Sequence, residues 1–220
     1  MTEYITVSDD DRVEARNGVI KLHGPDAFAG MRAAGRLAAE ILDAIAPHVV
    51  PGVTTGELDQ RVYDHTLRSG GVPATLGYRG YTKSCCISIN HVVCHGIPGD
   101  KALKDGDIVN IDVTLIVDGW HGDSSRMYAV GKIPRAAERL LEVTYNALMR
   151  GVAAVRPGAT TGDIGAAIQI YAEGERCSVV RDFCGHGWDG CSTTGRTFCT
   201  MASRAKDCRS SLACCSPSSR

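Results

Sequence analysis

Apolar positions recur at helical spacing across residues 25–46, where Phe28, Met31, Leu37, Ile41, Leu42 and Ile45 share one face. Pro25 and Asp26 suit a first helical turn, and Pro47 closes the run. A second helix is predicted to begin near Thr55, because Thr54 and Glu57 have capping-box spacing ahead of Leu58, Val62 and Leu67. Residues 134–155 return to helical period through Leu140, Leu141, Val143, Leu148 and Val152. The segment after that third helix, Arg156 to Ile164, repeats the segment after the first, Val50 to Leu58: Pro-Gly, then Thr-Thr-Gly, an acid and an aliphatic, 106 positions later. Helix, turn and capped helix thus occur twice, which predicts an internal duplication of two similar α/β halves.

Strand patterns lie between the helices. Ser84 to Val93 is rich in β-formers, and Asp107 to Val117 is rich in Val and Ile. Asp118-Gly119 is a two-residue hairpin signal, so Trp120 to Val130 should return as the partner strand. If that pair is the turn, Val117 opposes Trp120, Asp112 opposes Ser125 and Thr114 opposes Asp123. Side chains alternate faces with period two. Asp112 and Asp123 therefore project from one face as diagonal neighbours, roughly 7–8 Å apart at the backbone. Two carboxylates so close repel unless a cation lies between them. Divalent metals ~3.5–4 Å apart would satisfy both. The alternative is two solvated acids on an exposed hairpin face. The surroundings weigh against it, because Ile108, Val109, Ile111, Val113 and Leu115 to Val117 make an apolar strand with Asp112 in its middle.

Composition narrows the picture. A hydrophobic content of 44% supplies a core for 220 residues, and a net charge of -1 gives no reason to expect nucleic acid or an acidic membrane surface. No apolar run reaches the length of a membrane span. The acidic stretch Met1 to Arg16 has no apolar segment of a secretory signal, so a cytoplasmic location is expected. The five cysteines from Cys85 to Cys184 read as small buried hydrophobes. Cys191, Cys199, Cys208, Cys214 and Cys215 fit no zinc spacing, and no histidine comes after His186 to complete one.

Two histidines extend the carboxylate pair. Cys94-His95-Gly96-Ile97-Pro98-Gly99 reads as a tight turn presenting His95, and Phe183-Cys184-Gly185-His186-Gly187 does the same for His186. Neighbouring glycines clear space for a metal or substrate. Carboxylates with imidazole suit Mn, Fe, Co or Zn.

With these motifs in view, the chain from about Lys21 to Gly187 resembles the type I methionine aminopeptidases. The resemblance is carried by Met31 to Ala38, Gly77-Tyr78-Arg79-Gly80-Tyr81, Ser88 to Pro98, Asn110-Ile111-Asp112-Val113-Thr114, Gly122-Asp123 and Cys184-Gly185-His186-Gly187. It implies an α+β pita-bread fold, two pseudo-symmetric α/β halves around a curved antiparallel sheet. It implies two divalent metal ions (Co, Mn, Fe or Zn) on Asp112, Asp123 and His186, with Asp123 bridging them. By the same resemblance His95 contacts the substrate and handles protons, and Tyr78, Tyr81 and Cys86 line a methionine pocket. The implied reaction removes the initiator methionine from nascent polypeptides, met at the ribosome by a monomeric enzyme. The other readings are an inactive fold-mate serving as a binding module, and a hydrolase resembling proline dipeptidases. The Gly77–Tyr81 and Cys94–Pro98 motifs favour the methionine enzyme.

The sequence departs from the family pattern after Gly187. The family's two glutamate ligands, one of them a general base, have no counterpart there. Asp189 lies too near His186, and Asp207 has no strand around it. Thr193 stands where a second histidine is expected. From Trp188 onward Ser, Thr, Cys and Arg dominate, and no strand or helix period is visible. Back-translation of Trp188 to Thr194, read one base earlier, permits Leu-Gly-Arg-Val-Phe-His-Asp, and continuing to Met201 permits Pro-Asn-Val-Leu-His-Tyr. These resemble the residues that the family carries after its Gly-His-Gly. The expected organisation is an N-terminal extension over 1–20, a catalytic domain over 21–187 whose second half is incomplete, and a disordered, out-of-frame tail over 188–220.

Overall fold

The computed structural model describes residues 3–6, 19–183, 185–188 and 193–198. Four α-helices are present among them: α1 (Pro25–Ile45), α2 (Thr55–Arg68), α3 (Arg135–Ala154) and α4 (Thr161–Gly174). α1, α2 and α3 lie where their sequence patterns predict, and α4 where the repeat predicts it. A 3-10 turn over Ala46–His48 comes after α1, with Pro47 inside it. The capping boxes are complete at both repeat copies. The Thr54 side chain accepts from the Glu57 N–H while Glu57 accepts from the Thr54 N–H, and Thr160 and Asp163 do the same for α4. Gly52 and Gly158, the glycines of the repeated Pro-Gly turn, both have left-handed backbones (φ 92° and 81°). The duplication visible in the sequence is thus repeated in local structure.

Gly30–Glu138 forms one compact unit, and the described residues on either side of it form a second. The first unit holds an antiparallel sheet of β3 (Val72–Pro73), β4 (Cys86–Ile89), β5 (Ile108–Val117) and β6 (Trp120–Ala129), with β5 paired to each of the others. β4 is shorter than its composition predicts, because Asn90 turns into the left-handed region (φ 53°) and ends it. β3 is too short to announce itself by alternation. The hairpin is as expected. Asp118 and Gly119 both have positive φ (49° and 83°), and the pairs Val117–Trp120, Thr114–Asp123 and Asp112–Ser125 are in register.

One face of this sheet is the core. Val109, Ile111, Val113 and Leu115 of β5 are at most 1% exposed and pack with Ile87 and Ile89 of β4 against Leu37, Ile41 and Leu42 of α1 and Leu58 and Val62 of α2. The residues of β6 opposite them have a matching task, which is to accommodate α1. Gly122, opposite Leu115, has no side chain, and a Cβ there would collide with the Ala34 carbonyl. Trp120 lies against Gly30, where a Cβ would meet its ring. The Tyr128 hydroxyl donates to the Leu42 carbonyl at 2.6 Å, and Arg126 pairs with Asp43 at 2.5 Å. The helix thus approaches closely where glycines allow it and is tied down at its far end.

In the second unit α3 and α4 meet at Gly151, whose missing Cβ is replaced by the Ile168 side chain. The burial of the two helix pairs differs. Ala34 and Leu42 of α1 are 0% and 2% exposed, whereas Leu140 and Leu148, their counterparts in the repeat, are 45% and 54% exposed. β1 (Glu3–Thr6) pairs in parallel with β2 (Val19–Leu22), in a region whose sequence carries no readable signal. β7 (Gly185–Trp188) pairs antiparallel with β8 (Thr193–Phe198). β8 contradicts the expectation of no element beyond Trp188. Its Thr and Phe residues are strand formers whatever frame encodes them. Cys191, Cys199, Cys208, Cys214 and Cys215, and the rest of the expected tail, lie outside the described residues, as does Cys184. No helix among the described residues is long and apolar enough to cross a membrane.

The Gly122–Ala34 approach is directly testable. Gly122→Ala should destabilise the fold by about 1–3 kcal/mol or more, since backbone rather than a flexible side chain must yield. Urea unfolding of the two chains measures it.

Candidate metal centre

The polar face of the sheet lies opposite its core. Asp112 and Thr114 of β5 alternate with the buried Ile111, Val113 and Leu115 and so point away from the helices. Their partners share that face: Cys86 opposite Asp112 on one side, Ser125 opposite Asp112 and Asp123 opposite Thr114 on the other. The two acids are therefore on one face, as the hairpin geometry predicts. Thr114 is buried, and its hydroxyl donates to Asp123 Oδ1 at 3.0 Å, which fixes that carboxylate. His121, two residues before Asp123 and 7% exposed, belongs to the same face. Sequence reasoning passed over it, although period two from Asp123 would have found it.

Electrostatics single out Asp112. Burial first, and the charge of Asp123 second, push its carboxyl up to about 7. A carboxyl pressed toward neutrality by a like charge is relieved by a cation shared between the two. The donor set, two carboxylates on a half-buried face, is that of a hard divalent ion.

Around this pair the remaining predicted residues divide. Cys86 is buried, and its thiol is pushed up by burial and by the charges of Asp112 and Asp123, although the nearby Tyr81 hydroxyl opposes the shift. The Tyr81 hydroxyl donates to the Cys85 carbonyl at 2.9 Å. Tyr78 stands outside, 55% exposed, in a 3-10 turn (Tyr78–Gly80), with the Arg79 guanidinium 5.4 Å from its ring. His95 is exposed and comes just after a bend at Cys94, rather than on the tight turn expected, with a left-handed backbone (φ 55°), unusual for a residue with a side chain. Gly96 ties the chain back to β4. Its N–H donates to Ser88 Oγ at 3.1 Å and its carbonyl accepts from Ile87, so closely that a Cβ would enter the Ile87 carbonyl. His186 lies on β7, in the other unit, and is exposed. Among the described residues no three His, Cys, Asp or Glu side chains are grouped to hold a metal ion. Of the cysteines read as buried hydrophobes, Cys85 and Cys86 are buried, whereas Cys94 and Cys177 are partly exposed.

The sequence pattern of metallopeptidase family M24 matches residues 29–205, most of the chain and all of this face. The chain belongs to that family. The methionine aminopeptidase of Rickettsia prowazekii is 58% identical over 168 residues, covering 76% of this chain and 65% of that protein. Its namesake from Escherichia coli K12 is 55% identical over 170 residues, covering 76% and 64%. This M24 chain thus spans somewhat less than two thirds of the length of these curated relatives. Among solved structures, the R. prowazekii methionine aminopeptidase superposes with a TM-score of 0.85 at 51% identity, covering 87% of this chain and 77% of the other. The Thermotoga maritima enzyme of that name gives 0.83 at 30%, covering 86% and 77%. The prolidase of Pyrococcus furiosus, 18% identical with a TM-score of 0.69 over 84% and 56%, shares the fold alone. The α+β pita-bread architecture expected from the sequence is the fold of these M24 neighbours.

The raised Asp112 pKa sets a pH dependence. In the fold this group keeps a proton that the unfolded chain releases near pH 4, as ordinary Asp does. With chelator present, Asp112 should therefore favour the fold below pH 4, and its contribution should be lost as pH rises to about 7. Urea midpoints in EDTA at pH 5 and 8 test this. Asp112→Asn should lose less stability than the parent over that interval.

Proposed function

We propose that this chain derives from a methionine aminopeptidase that removes the initiator methionine from nascent polypeptides. The observation that carries the reading is the placement of Asp112 and Asp123 on one sheet face, with Cys86 and Tyr81 beside them, in a chain more than half identical to methionine aminopeptidases. Asp112, Asp123 and His186 would hold two divalent ions, whose chemistry there would be to acidify a water and polarise the scissile carbonyl. Their identity is one of Co, Mn, Fe and Zn.

The chain's own residues supply the rest. Thr114 orients Asp123 through its 3.0 Å hydrogen bond. His95, exposed and left-handed in backbone, hydrogen-bonds the substrate peptide and stabilises charge developing on the carbonyl oxygen. Tyr81 and Cys86 form the wall that receives the methionine side chain, with Tyr78 at the rim. The enzyme works as a cytoplasmic monomer on polypeptide N-termini emerging from the ribosome.

The frame of the gene slipped by one base near Gly187, so that no residue from Trp188 to Arg220 supplies the family's two glutamates. The hidden Phe-His and Leu-His-Tyr in the neighbouring frame support that reading. Two consequences are measurable. Sequencing across codon 187 should find the extra or missing base, and an intact frame encoding Trp188 onward would overturn it. The frame-restored chain should cleave Met-Gly peptides with added Mn or Co, while the chain as written should be at least about 100-fold slower, as incomplete ligand sets are. Equal rates would refute the reading of the tail. Inactivity of both would refute the peptidase and favour a binding module.

A further inference from the structure

Asp59 is a carboxylate inside the core of the first unit, 7% exposed on the inner face of α2, with no role in the chemistry above. Its Oδ1 accepts from four groups of one short segment: the Ser84 N–H at 2.9 Å, the Ser84 hydroxyl at 2.6 Å, the Cys85 N–H at 3.1 Å and the Cys85 thiol at 3.4 Å. The Ser84 oxygen also lies 3.0 Å from the Asp59 carbonyl. Burying a carboxylate is costly unless donors replace water, and here all four of these donors to Oδ1 belong to residues 84 and 85. These are the last two residues before β4.

What Ser84 and Cys85 position is the pocket wall. Cys86, the next residue, opens β4 in register with Asp112. The Cys85 carbonyl is the acceptor of the Tyr81 hydroxyl at 2.9 Å, and the Tyr81 and Cys86 side chains are close enough to shift each other's ionisation. A second tie, Thr75 Oγ1 to the Lys83 carbonyl at 3.0 Å, holds the segment only upstream. Asp59 is therefore the anchor by which α2, a helix of the hydrophobic core, fixes the side chains expected to recognise the substrate.

We infer that Asp59 is the positioning residue of the methionine pocket, holding Tyr81 and Cys86 through Ser84 and Cys85 so that the wall admits an unbranched thioether side chain. The inference rests on the aminopeptidase reading. It separates acceptor geometry from charge, because an amide oxygen in place of Oδ1 can accept from the same two backbone N–H groups, whereas a methyl group cannot.

The test compares Asp59→Ala, Asp59→Asn and Val62→Ala in the frame-restored chain, the last removing buried volume from the same helix and core while leaving the hydrogen bonds to Ser84 and Cys85 intact. Assays run below all three melting transitions, on Met-Gly and Leu-Gly peptides. Asp59→Ala should lower kcat/KM for the Met peptide about 10- to 100-fold, mainly through KM. Its preference for Met over Leu should fall at least about tenfold, as a loosened pocket discriminates poorly. Asp59→Asn should stay within about threefold of the parent, and Val62→Ala should keep the parent's preference. Retention of Met preference by Asp59→Ala, or an equal loss in Val62→Ala, overturns the inference. If the parent cleaves neither peptide, the aminopeptidase reading fails by itself. The clasp is then judged in the chain as written by peptide-resolved iodoacetamide labelling of Cys86. Labelling at least about tenfold faster in Asp59→Ala than in Val62→Ala sustains it, and equal labelling overturns it.

Discussion

The two-residue turn at Asp118-Gly119 is the constraint on which the rest depends. With both residues in the positive-φ region the strands close without a bulge, and every pair from Val117–Trp120 to Ile108–Ala129 is set by it. A slip of one residue would exchange the faces. Asp123 would then point at α1, and Gly122, which lets the Ala34 backbone approach, would point away from it. The turn thus specifies the core and the carboxylate face together, and neither can be altered without the other.

That coupling explains the division of labour in the first unit. The apolar face, capped by α1 and α2, supplies rigidity, and the opposite face carries groups that are unfavourable by themselves. Asp112 is held near its point of neutralisation by burial and by Asp123, and His95 keeps a backbone conformation that costs about 1–3 kcal/mol. Such strain persists only on a scaffold stable enough to impose it. Asp59 shows how the scaffold reaches across the sheet edge, with a buried acceptor on a core helix holding the segment that leads into β4.

The internal repeat gives a comparison within one molecule. Both copies keep the Pro-Gly turn and the reciprocal cap, local features that need only their own few residues. Burial is not local. The faces of α1 and α3 carry equivalent apolar positions, yet only those of α1 lie under a well-populated core among the described residues. A duplicated sequence pattern therefore guarantees a duplicated helix pair and does not guarantee a duplicated core.

The sequence by itself determined the elements whose signals are local: four helices, the caps of α2 and α4, the hairpin, its register and, through period two, the shared face of Asp112 and Asp123. It also carried the motifs that place the chain in metallopeptidase family M24. Only the tertiary structure decided what depends on distant residues. β3 is two residues long, and its pairing with Ile116 and Leu115 leaves no periodicity to read. β4 stops at Ile89 because of a backbone reversal at Asn90, which composition alone does not reveal. The elevation of Asp112, the burial of His121 and the anchoring of Ser84 and Cys85 by a residue 25 positions earlier arise from contacts made once the chain has closed on itself. Local sequence sets which face a side chain takes, whereas its charge state and its partners are set by what the fold brings against that face.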